Sequence, residues 1–155
     1  MESLSTRTPD RLQLAAAFVG LVAATSSLEG IWYLDVAEDI YHQHIGVLMN
    51  LQFDALVAVL FYLFYSLGAL IFAVGPALHK TSLRHALLMG GLYGFFCFSA
   101  HNLTDLADVK GYNWQITLID ITWGTAMTAV ASGLSYRLAR CLQRAPRMKE
   151  PGALA

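Results

Sequence analysis

Four stretches of about 20 mostly apolar residues divide the chain: roughly Leu12 to Tyr33, Asp54 to Leu78, Leu83 to Leu106 and Ile116 to Leu138. Each is long enough to cross the hydrocarbon core of a bilayer as an α-helix, and a lipid-exposed backbone must satisfy its own hydrogen bonds, which leaves the helix as the form available to a single span. The spans consume most of the 155 residues and leave no room for a separate soluble domain. With 56% hydrophobic and 14% charged residues and a mean hydropathy of +0.50, the surface is too apolar for water. The expectation is an all-α, four-helix transmembrane bundle forming one domain over residues 1–155, with a basic tail over 139–155. Its partner is the lipid bilayer, and no nucleic acid is expected.

Charge placement orients the bundle. If the four helices alternate in direction, Arg7, Arg11, Lys80, Arg84, Arg137, Arg140, Arg144, Arg147 and Lys149 share one end and Lys110 alone lies at the other. The positive-inside rule makes the basic end cytoplasmic, with both termini inside. Glu29, Asp35, Glu38, Asp39, Asp54, Asp105, Asp108 and Asp120 gather toward the outer half, against Glu2, Asp10 and Glu150 inside. Met1 to Arg11 followed by an apolar run has the outline of a secretory signal, but the run is long and leads into Glu29-Gly30-Ile31-Trp32 without a clear small-residue cleavage site, so it is taken as the first span. Cys97 in mid-span and Cys141 at the inner side are too far apart along this plan for a disulfide.

The first helix starts after Thr8-Pro9-Asp10 and offers Ala15, Ala16, Ala17, Gly20, Ala23 and Ala24 for close helix approach. Glu29 lies near its outer end, and Trp32 and Tyr33 suit headgroup depth. The loop from Leu34 to Phe53 carries Asp35, Glu38, Asp39, Tyr41, His42 and His44; Val36, Ile40, Val47 and Leu48 would form the stripe of a short surface helix, a lid or a solvated connector. His42 and His44, two apart, do not face each other on a helix and are a weak metal signal. Asp54 suits a helix N-terminus, the tyrosines of Phe61-Tyr62-Leu63-Phe64-Tyr65 need partners inside the bundle, and Gly75-Pro76 ends the second span before a cytoplasmic turn.

The third helix places Gly90, Gly94, Cys97, His101, Asp105 and Asp108 at spacings of three and four, a stripe passing from small to polar. Gly90-x-x-x-Gly94 invites close packing, and His101 and Asp105 stand one turn apart. Gly111 is a plausible stop and Trp114 an anchor. The fourth helix sets Thr117, Asp120 and Gly124 on one face with Trp123 beside them. Alternation therefore brings Glu29, His101, Asn102, Asp105 and Asp120 to one depth beneath Trp32 and Trp123. Carboxylates there are not all ionised without a counter-charge, which a metal, shared protons, a protonated His101 or water would supply.

Four uses of such a constellation are compatible with the sequence. It is a hydrogen-bonded network joining the helices, or a pocket for a proton, a lipid headgroup or a small polar molecule. It is a metal site of a membrane enzyme, with His101, Asp105, Asp120 and Glu29 as ligands, or part of an accessory subunit of a membrane complex. Transport through four short helices would call for a homo-oligomer. No H-E-x-x-H, Gly-x-Ser-x-Gly, P-loop or dinucleotide glycine motif is present, so neither an enzyme class nor a cofactor is indicated.

Taken together, Glu29-Gly30-Ile31-Trp32, the aromatic run 61–65, Gly75-Pro76-Ala77-Leu78, Asn102-Leu103-Thr104-Asp105-Leu106-Ala107 with Lys110-Gly111, and Thr117 to Thr125 resemble the DUF2177 family of small bacterial integral membrane proteins, over roughly Leu12 to Leu138. The resemblance implies four membrane helices and supplies no activity. Where that family's pattern reads Asp-Leu-Thr-Asn this chain has Asn102-Leu103-Thr104-Asp105, with Glu29 in place of an aspartate and His101 in place of an aromatic residue. Such an exchange is easier for a polar network or roomy pocket to tolerate than for a strict coordination sphere. The expected location is a bacterial inner membrane, with Glu29, His101, Asn102, Asp105, Asp120 and Trp123 as the residues at a ligand.

Overall fold

In the computed structural model, the described residues, 8–32, 34 and 54–144, form helices and turns with no strand among them. The helices are α1 (Arg11–Trp32), α2 (Ala55–His79), α3 (Leu83–Asp108) and α4 (Trp114–Arg144). The expected surface helix or lid with His42 and His44, the anchor Tyr33 and the tail beyond Arg144 lie outside the described residues.

Each start has a chemical cause. Asp10 caps α1 through a reciprocal pair: its Oδ1 accepts from the Gln13 N–H at 2.8 Å, and Gln13 Oε1 accepts from the Asp10 N–H at 3.1 Å. Pro9 therefore precedes the cap and is not part of the first turn. Asp54 accepts from the N–H groups of Leu56 and Val57 at 3.0 and 3.2 Å, the N-terminal role expected of it. Ser82 caps α3 and Asn113 caps α4 in the same way. The chain reverses after α3 through Gly111, at a φ of 95° that a side chain would resist.

Gly75-Pro76 does not end α2. The helix opens into a π turn over Leu70–Val74 and continues to His79. Proline lacks an N–H and its ring crowds the carbonyl of the preceding turn, and a wider turn relieves both. A Cβ at position 75 would sit 2.9 Å from the Leu70 carbonyl oxygen, which explains the glycine before the proline.

The four helices run in alternating directions. Gly133 of α4 lies beside Leu83 and Leu87 of α3, and Gly124 lies against the Phe98 ring toward the other end. Similarly, Gly20 of α1 meets Ser135 and Leu138, and Trp32 stacks on Trp123. Across α2, Thr25 and Ser66 hydroxyls are 3.4 Å apart and the Tyr93 hydroxyl donates to the Tyr65 carbonyl at 3.3 Å. The described Lys and Arg positions of the helix ends, from Arg11 through Arg84 to Arg144, consequently share one end, opposite Lys110.

The buried apolar set is dominated by alanine: Ala17, Ala69, Ala73, Ala77, Ala86, Ala131 and Ala139 are fully inaccessible. Large apolar side chains point outward, with Val19, Phe64, Phe72 and Phe96 all above 60% exposed. That inverted arrangement suits lipid, where small residues let backbones approach and dispersion replaces the hydrophobic drive between helices. By length and hydropathy α1, α2 and α3 qualify as membrane spans. The fourth helix is longer still, 31 residues or about 46 Å. Its buried Thr117, Asp120, Thr128, Ser132 and Ser135 lower its hydropathy, as do the arginines toward its C-terminus, while Leu118, Val130, Leu134 and Leu138 face out.

Contact between α3 and α4 is the tightest in the bundle. A Cβ on Gly94 would collide with the Gly124 carbonyl oxygen and the Thr128 side chain, and one on Gly90 with Ser132. On Gly91 it would meet only Ala129 Cβ at 3.5 Å, an ordinary contact. Gly94→Ala is expected to lower stability by about 1–3 kcal/mol in detergent-unfolding experiments, whereas Gly91→Ala stays near wild type; equal behaviour of the two would contradict this interface.

Candidate functional site

Close approach of α3 and α4 determines which polar groups meet at the acidic end. Gly90, Gly94, Phe98 and Asn102 of α3 follow a row of every fourth residue. It lies against the matching row Ser132, Thr128, Gly124 and Asp120 of α4. Two ridges of this spacing interlock when helices cross at an angle. The buried row therefore departs from the stripe expected from the sequence: Gly90 and Gly94 keep their places in it, but Asn102 turns inward in place of His101, and Asp108 is exposed.

A cavity of about 340 Å³ opens where these rows end, enclosed by α1, α2, α3, α4 and the turn after α3. Its polar lining includes Glu29, Asn102, Asp105 and Asp120, with His101 at the rim. The His101 side chain is 72% exposed, with Nε2 3.4 Å from Asp105 Oδ2; the Asp105 side chain is 28% exposed. The carboxylate that the resembled pattern sets at position 102 thus stands one turn away, beside that imidazole. Among the expected residues, Trp123 does not line the cavity. It stands behind Glu29, donating from Nε1 to Glu29 Oε2 at 3.1 Å, and stacks on Trp32 at a centroid distance of 4.4 Å and 11° between planes.

Asn102 is completely buried and its amide is satisfied on both sides. Nδ2 donates to the Phe98 carbonyl at 3.0 Å, and Oδ1 accepts from the Tyr112 hydroxyl at 2.5 Å. The same hydroxyl lies 3.5 Å from Asp120 Oδ2. Tyr112 is thus the residue that sequence reasoning missed. Its signal was present: a phenol next to the helix-ending Gly111, in a turn short enough to fold back over the last turn of α3. Burial, followed by the charges of Asp120 and Asp105, raises the Tyr112 phenol above its ordinary range. Because the shift is upward, the phenol keeps its proton throughout the neutral range and remains a donor.

Aromatic groups complete the walls. Phe61, Tyr65, Cys97 and Phe98 line the cavity. The Thr128 hydroxyl donates to the Gly124 carbonyl at 2.6 Å, so it accepts from the Tyr65 hydroxyl, 2.5 Å away. That partnership meets the need expected of a tyrosine in mid-membrane.

Among the described residues, no group of three or more His, Cys, Asp or Glu is gathered so as to hold a metal ion. The oxygens here take N–H and O–H donors: Glu29 from Trp123, Asn102 from Tyr112. The arrangement is equipped to accept hydrogen bonds and to stabilise positive charge. Tyr112→Phe would leave Asn102 Oδ1 buried without this donor, and a loss of about 1–3 kcal/mol is expected in thermal unfolding; an unchanged midpoint would show that the turn does not hold Asn102.

No curated protein and no solved structure matches the chain. Residues 14–137 match the family described as Predicted membrane protein (DUF2177), a stretch that holds the paired ridges of α3 and α4, the cavity they close and every residue lining it. On that match, the chain belongs to the DUF2177 family of predicted membrane proteins.

Proposed function

We propose that this protein is a four-span membrane protein of a bacterial inner membrane whose acidic-end cavity admits a small polar molecule or a lipid headgroup from the outer leaflet. The observation that carries the reading is the cavity itself: about 340 Å³, at the low end of the range of ligand pockets, with polar acceptors converging on an aromatic wall. Ionisable residues at membrane depth are costly and mark sites far more often than surface residues do. The crossing of α4 is supported by its antiparallel packing along α3, a helix that meets the criteria for a span. The basic residues at the opposite end support a cytoplasmic position for that end.

Glu29, Asp105 and Asp120 accept hydrogen bonds from the ligand in this reading, Asn102 shapes the floor together with Tyr112, and His101 stands at the entrance. Trp123 holds the Glu29 carboxylate in place.

Two measurements test this. Native mass spectrometry with elemental analysis of gently extracted protein is expected to find a retained small molecule that is lost in Asp105→Ala and Asp120→Ala. It should persist in Asp54→Ala, which loses only a helix cap worth about 1 kcal/mol. A bare, folded wild type overturns the pocket reading, and a stoichiometric metal replaces it with the metal-site reading. For orientation, Cys141 is exposed at the basic end. In a Cys97→Ser background a membrane-impermeant maleimide is expected to label inverted vesicles and not intact cells; the reverse pattern overturns the topology.

A further inference from the structure

The wall of the cavity has a geometry that its acidic lining does not require. Tyr65 stacks on Phe61 at 5.5 Å and 26° and meets Phe98 edge to face at 6.2 Å and 85°, so the three rings pack together as one aromatic corner of the cavity wall. All three line the same cavity as Glu29, Asp105 and Asp120. Among the described residues that line it there is no lysine or arginine. Aromatic quadrupoles attract cations, and an aromatic wall in the same cavity as carboxylates suits an organic cation, which offers apolar surface to the rings and charge to the acids. Inorganic cations are a poorer match, because the described residues gather no group of three ligands for a metal and the rings offer no coordinating oxygen of their own beyond a tyrosine already bonded to Thr128.

We infer that the cavity binds an organic ammonium group, seated against the Phe61, Tyr65 and Phe98 corner with the carboxylates of Glu29, Asp105 and Asp120 as counter-charge. This deepens the pocket reading and rests on it. The ammonium arrives either as the headgroup of a membrane lipid or as a free small amine, since both present the same cation to the rings. Phe61 is the residue through which to test it, because it is half exposed, so its replacement leaves the alanine interior undisturbed.

The experiment is titration calorimetry on purified protein in nanodiscs of phosphatidylglycerol, which carries no ammonium. Choline and ethanolamine are the cationic probes and 3,3-dimethylbutanol is the neutral isostere of choline. Choline is expected to bind at least about tenfold more tightly than the isostere. Phe61→Leu should weaken choline about fivefold while Phe61→Trp retains it. Repeating the titration in nanodiscs that include phosphatidylethanolamine separates the sources: loss of choline binding identifies the lipid headgroup, and unchanged binding identifies a free amine. Equal binding of choline and its isostere, or a Phe61→Leu variant with unchanged affinity, overturns the ammonium assignment and leaves a pocket for another ligand. If neither probe binds while wild-type protein still retains a small molecule in native mass spectrometry, the ammonium assignment alone falls; if that protein is also bare, both readings fall.

Discussion

Everything at the acidic end depends on how closely α3 can approach α4. Gly90 and Gly94 bring the α3 backbone against Thr128, Ser132 and the Gly124 carbonyl, and Gly124 in turn receives the Phe98 ring. In lipid this contact draws little from water exclusion, so it must come from dispersion at short range; the Thr128 hydroxyl bonds to Gly124 of its own helix and to Tyr65 of α2. Glycine is what makes the distance available. Once the two ridges interlock, the next members of the same rows, Asn102 and Asp120, are brought within reach of a single phenol on the connecting turn.

Polarity inside the bundle follows the same logic. Thr25, Ser66, Thr128, Ser132 and Ser135 are buried among alanines, and bulky apolar side chains are turned outward. Thr25 and Thr128 return their hydroxyl protons to their own helices, at Leu21 and Gly124, so they occupy the interior without an unsatisfied donor. Such a hydroxyl-rich face lowers the hydropathy of α4 while leaving it one of the most heavily packed elements, because hydropathy averages over the lipid-facing and interior sides of a helix.

The cavity is therefore a consequence of where close packing stops. Below it, small residues allow contact; at its level Phe61, Tyr65 and Phe98 line the space together with carboxylates from α1, α3 and α4. Trp123 joins the two regions, stacking on Trp32 and bonding to Glu29, so one side chain both closes the α1 and α4 contact and orients a wall of the cavity.

Much of this was legible in the residues. Four apolar stretches, the alternation of basic and acidic ends, the cap at Asp54 and the gathering of Glu29, Asn102, Asp105 and Asp120 at one end of the bundle all follow from chain length, the alternation of the helices and the helix repeat. Three features came only from tertiary structure. Tyr112 acquired its role because a left-handed glycine turned the chain back over Asn102. His101 went to the rim and Asn102 to the interior because helices that cross at an angle bury a row of every fourth residue, whereas a sequence stripe assumes that the partner runs parallel to the axis. The aromatic corner joins α2 to α3, and no spacing within either segment encodes it. Sequence by itself determined what is chemically affordable at each depth, since that depends on one residue and its solvent; only the fold decided which of those residues face one another, since that depends on the crossing of two helices.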